Sequence, residues 1–71
     1  MGSLTKREIE VLILVARGRT LKSIATELGL RPSTVRNHCT CIQYKLRAVN
    51  NVSAVIAGMV QGYFSLEDVH G

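Results

Sequence analysis

Several features that would assign a function outright are missing from this 71-residue chain. Two cysteines, Cys39 and Cys41, are too few for a disulfide framework, and i,i+2 neighbours on one helix point apart. The longest apolar run, residues 11–16, stops at Arg17, far short of the roughly 18 residues a spanning helix needs, so no membrane partner is expected. No charged segment followed by an apolar core and a small-residue cleavage site opens the chain. A cytoplasmic location is therefore expected. The length holds one domain and leaves no room for a large enzyme cavity. Acids are absent between Gly29 and Ser65.

What is present is apolar and basic. Hydrophobic residues make up 46% of the chain and charged ones 20%, which excludes a disordered tail and predicts a packed core. Nine Lys and Arg face five Asp and Glu, and two of those acids, Glu67 and Asp68, lie near the C-terminus. A compact domain with that excess suits a polyanion, most commonly nucleic acid.

The punctuation predicts helices at about 6–17, 21–28, 32–46 and 52–61, an all-α four-helix bundle with no strand signal left over. Thr5 and Glu8 have capping-box spacing, and Leu4 with Ile9 forms a hydrophobic staple. Gly18 ends the first helix. Thr20 caps the second, which Gly29 terminates. Pro32 suits the first position of the third helix, although Arg31 is a poor N-cap. Val35, Cys39, Ile42 and Leu46 form its core stripe, with His38 at the edge. Asn50 or Asn51 caps the fourth helix. Residues 1–3 read as a start or a cloning remnant, 4–64 as the domain, and 65–71 as a C-terminal tail, with Tyr63 and Phe64 expected to tuck back onto the body.

The second and third helices are joined by only Gly29, Leu30 and Arg31. This linker suits a helix-turn-helix, with Ala25 as the small residue at the crossing and Val35 as the apolar anchor. A helix corner without any nucleic-acid role has the same pattern. Opposite its core stripe, the third helix carries Ser33, Asn37, Thr40, Cys41 and Tyr44, flanked by Arg36 and Lys45. Arg can pair with guanine, Asn with adenine, and Thr can bond a base edge or touch a thymine methyl. The competing reading is a merely solvated basic face.

Leu4-Thr5-x-Arg7-Glu8-x-Glu10-Val11-Leu12, Gly18, Lys22-x-Ile24-Ala25-x-x-Leu28, Ser33-Thr34-Val35-Arg36-Asn37-His38, Ile42-x-x-Lys45-Leu46, Ala54-Val55 and Gly62 together closely resemble the LuxR-type (NarL/FixJ, GerE-like) helix-turn-helix domain. The resemblance covers about residues 4–64. It implies a bacterial transcription regulator's output domain, usually C-terminal to a phosphoacceptor receiver or small-molecule-binding domain, as in two-component response regulators. It also implies double-stranded DNA as partner and no cofactor. By position, Arg36, Asn37 and Thr40 are expected to contact bases. Lys22, Arg31, Ser33, Thr34, Tyr44 and Lys45 are expected to contact the DNA backbone. Two positions depart from the family pattern: Arg31 stands where Ser is favoured, and Asn51 where Arg is frequent.

If Ala54, Val55, Gly58 and Met59 face the core, as the resemblance suggests, Val52, Ile56 and Val60 align outward on the fourth helix and imply a contact. The resemblance assigns that contact to a homodimer on an inverted-repeat site. The opposite rotation would make this stripe core. A metal site is not expected, because Cys39 and Cys41 lie about 200° apart on the helix. No catalytic set is visible. A helical module docking on RNA polymerase or a partner regulatory domain is the alternative function, and a sigma-factor-like promoter reader is a closer cousin.

Overall fold

Thr5 and Glu8 start the first helix by exchanging hydrogen bonds. The Glu8 N–H donates to Thr5 Oγ1 at 3.1 Å, and the Thr5 N–H donates to Glu8 Oε1 at 2.8 Å. The computed structural model describes residues 3–70. Among them it contains α1 (Lys6–Ala16), α2 (Leu21–Leu28), α3 (Pro32–Leu46), α4 (Asn51–Val60) and α5 (Leu66–His70). The reading of residues 1–3 as a start or remnant falls largely outside the described residues.

Caps set the other boundaries. Thr20 accepts the Ser23 N–H at 3.1 Å to open α2, and Asn50 accepts the Ser53 N–H at 2.8 Å to open α4. Asn50 rather than Asn51 is therefore the cap. Asn51 instead accepts from Gln43 Nε2 at 2.7 Å, joining α4 to α3. As the sequence suggests, Arg31 makes no side-chain cap bond, and Pro32 opens α3. Gly29, at φ +70°, occupies the left-handed region required between α2 and α3, and the Leu30 N–H then bonds the Ala25 carbonyl at 2.8 Å. Arg47 takes the same conformation, φ +56°, at the end of α3 without glycine's freedom.

The core gathers Val11, Leu12, Ile24, Val35, Ile42 and Ala54, all almost fully buried. α1 runs through the middle, packing on α3 and α4, while α2 packs chiefly on α3. Phe64 also enters the core, and the Tyr63 hydroxyl accepts the Leu4 N–H at 3.3 Å, so the chain does fold back after α4.

The helix count is one higher than expected. The segment expected as a tail contains the short α5, so the bundle has five helices among the described residues rather than four. Its start is stabilised locally, because the Ser65 N–H donates to Asp68 Oδ2 at 2.9 Å. The Asp68 carbonyl is held in turn by Arg17, through Nε at 3.0 Å and Nη2 at 2.7 Å.

Candidate nucleic-acid interface

α3 is divided lengthwise. Val35, Cys39, Ile42 and Leu46 are buried, whereas Ser33, Arg36, Asn37, Thr40, Cys41 and Tyr44 are exposed. Tyr44 retains 80% of its surface. Thr34 and His38 lie half-buried along the boundary. The rotation expected from 100° per residue is therefore the one observed. A helix anchored along one face by four buried side chains presents the other face rigidly.

The charge distribution follows the same division. Arg7 pairs with Glu10, Arg19 with Glu27, and Lys45 with Glu8, while Arg17 is bound to the Asp68 carbonyl. Five cations are left without such a partner among the described residues. Lys6 is on α1; the other four, Lys22, Arg31, Arg36 and Arg47, belong to α2, α3 and the residues flanking α3. All four are exposed. Pairing engages Glu8, Glu10 and Glu27 with other cations, and no acid lies on α3, which leaves net positive charge around its open face.

Lys45 does not join this exposed set. Its Nζ lies 2.9 Å from Glu8 Oε1 and 3.4 Å from the Ser3 carbonyl, so the expected backbone contact competes with an intramolecular partner. Burial acts to raise the Glu8 pKa, but bonds from Lys45 and Thr5 outweigh it and hold the carboxyl below its ordinary value. Arg47 is the cation that sequence reasoning missed. Its signal was only its position directly after α3.

α4 buries Ala54 and Gly58 and exposes Val52, Ile56 and Val60 at 70%, 58% and 80%. The outward rotation is therefore correct. Val49, in the turn before α4, is also exposed. An apolar groove of about 230 Å³ runs beside the stripe, lined by Val15, Ala16, Asn51, Val52, Val55 and Ile56. No helix among the described residues is long and apolar enough to cross a membrane.

Two helices crossing at a three-residue turn, the second anchored by a buried stripe and open on a cationic face, define a helix-turn-helix domain. Comparison with known proteins agrees. Residues 2–57 match the family of bacterial regulatory proteins of the luxR type, and the chain belongs to that family. It is similar to the transcriptional regulatory protein DesR of Bacillus subtilis, 44% identical over 61 residues that cover 86% of this chain and 31% of DesR. It is similar also to the spore germination protein GerE of the same organism, 40% identical over 63 residues covering 89% of this chain and 85% of GerE. In the transcriptional regulatory protein UhpA of Escherichia coli, identity is 47% over 49 residues, 69% of this chain and 25% of UhpA. The chain thus spans about a third of DesR and a quarter of UhpA but most of GerE.

Proposed function

We propose that this domain binds double-stranded DNA sequence-specifically, as the output domain of a bacterial transcription regulator in the cytoplasm, with α3 in the major groove. The observation that carries the reading is the concentration of unpaired, exposed cations around the open face of α3. Arg36, Asn37 and Thr40 read bases. Lys22, Arg31, Ser33, Thr34 and Tyr44 hold the backbone, with Arg47 added to them, while Lys45 acts first as a tie to α1. The uncapped start of α3 suits a phosphate, because helix N-termini direct N–H groups and positive potential at anions.

A homodimer on an inverted repeat is the second element of the proposal. The exposed Val52, Ile56 and Val60 stripe supports it, since aliphatic side chains in line on a small domain favour a self-complementary two-fold contact. Two copies would then present their α3 helices to successive major grooves. The chemistry is binding, and no catalytic role is proposed.

The test is binding to mixed duplex DNA against salt concentration, followed by selection of preferred sites. Each neutralised phosphate contributes about 0.9 to the slope of log affinity against log salt, so the three exposed cations assigned to the backbone, Lys22, Arg31 and Arg47, predict a slope of about −2.7 per domain. A flat response with no enriched site would favour a helical module docking on RNA polymerase or another protein.

A further inference from the structure

Thr40 sits on the exposed face of α3 between Asn37 and Tyr44, yet its hydroxyl is turned inward. Thr40 Oγ1 lies 3.1 Å from the Arg36 carbonyl oxygen, one helical turn back. A carbonyl only accepts, so the threonine must donate, and its single proton is committed to the helix. Threonine is branched at Cβ and stiff at χ1. With Oγ1 against the backbone, the methyl is the outward heavy atom.

That arrangement limits what Thr40 can read. Guanine O6 and N7, adenine N7 and thymine O4 all require a donor, and the Thr40 proton is already given to the Arg36 carbonyl; adenine N6 and cytosine N4 require an acceptor, and Oγ1 is turned toward the helix backbone rather than outward. The one base feature in the major groove that matches an outward methyl is the C5 methyl of thymine. Arg36 and Asn37, on the same face, still carry free donors for the polar edges around it.

We propose that Thr40 is a specificity-determining residue that recognises a thymine through methyl-to-methyl contact rather than a hydrogen bond. The inference rests on α3 entering the major groove. It follows that the conservative change, Thr40→Ser, is the damaging one, whereas Thr40→Val is tolerated.

The experiment begins with the duplex selected by the wild-type chain and replaces each thymine in turn by deoxyuridine, which removes only the C5 methyl. Binding is measured for the wild type, Thr40→Val and Thr40→Ser, with helicity checked by circular dichroism. At one thymine position, loss of the methyl is expected to weaken wild-type and Thr40→Val binding about 4-fold, the value of one buried methylene-sized group, and to leave Thr40→Ser unaffected. Thr40→Ser should bind the unmodified site about 4-fold more weakly than wild type. The proposal is overturned if no thymine shows this loss, if Thr40→Ser retains it, or if Thr40→Val binds tenfold more weakly while folded. Absence of any salt-dependent duplex binding by the wild type would overturn the DNA reading, and this inference with it. Site-specific binding insensitive to thymine methyls would overturn this inference alone.

Discussion

Lys45 Nζ lies 2.9 Å from Glu8 Oε1, tying the last turn of α3 to the first turn of α1 across 37 residues of sequence. The same carboxylate caps α1, so one buried group fixes both a helix start and the end of the proposed reading helix. Glu8→Ala removes a cap bond, worth about 1 kcal/mol, and a partly screened ion pair worth up to about 1 kcal/mol. For a domain of this size, a combined loss near 2 kcal/mol lowers the melting temperature by about 10 °C. Lys45→Ala should destabilise by about 1 kcal/mol. It should leave the salt slope of DNA binding unchanged, because its ammonium is already engaged. A slope reduced by about 0.9 would restore Lys45 to the phosphate contacts.

The same carboxylate predicts an acid response. The folded Glu8 pKa is lowered, so its contribution to stability is present above the ordinary glutamate value and is lost as pH falls through the depressed one. Denaturant unfolding should therefore show stability falling from about pH 4.5 downward. Glu8→Gln should flatten that fall and lie closest to the wild type at the lowest pH. An unchanged acid slope in Glu8→Gln would assign the loss to other carboxylates.

Gly58 is required for space, not for backbone freedom. A Cβ placed there would lie 2.7 Å from Leu12 Cδ2 and 2.9 Å from Phe64 Cε1, both on buried side chains. Gly58→Ala should cost about 1–3 kcal/mol despite alanine's better helix propensity. Thermal unfolding measures it, and a stabilised variant would show that α4 and Phe64 can separate without penalty.

Much of this architecture is written locally in the sequence. Thr5, Thr20 and Asn50 announce helix starts because a cap involves residues only three apart, and the faces of α3 and α4 follow from helical periodicity. α5 was missed because five residues give no periodicity to detect, although Ser65 and Asp68 hold the capping spacing. The Lys45–Glu8 tie is invisible for a different reason: nothing local to Lys45 distinguishes a lysine facing phosphate from one facing a carboxylate on another helix. Arg47 is not singled out by the sequence because a lone basic residue just past a helix carries no local sign of the face it joins.

Within the proposed DNA contact, Arg36 and Lys22 should separate specificity from affinity. Arg36 lies on the exposed face of α3, where a guanidinium can pair with a base, and Lys22 lies on α2, outside that face. Arg36→Ala should cost about 1–3 kcal/mol on the preferred site and relax selection at one base pair. Lys22→Ala should weaken all duplexes alike and reduce the salt slope by about 0.9. Site selection repeated with each variant measures both, and equal sequence-blind losses would contradict the division.

The α4 stripe predicts a different kind of failure. Val60 is 80% exposed, so Val60→Asp should change folding stability by less than about 0.5 kcal/mol. In a two-fold interface the substitution enters twice, placing two carboxylates within or beside one apolar contact, where burial and like charge act together. Sedimentation should then shift toward monomer, and affinity for a duplex with two half-sites should fall at least tenfold, while affinity for one half-site stays near wild type. Ile56→Asp, one turn back on the same stripe and also exposed, should behave alike. Reduced binding to both duplexes in equal measure would point instead to a disturbed α3, and unchanged sedimentation with unchanged affinity would remove α4 as the contact between copies.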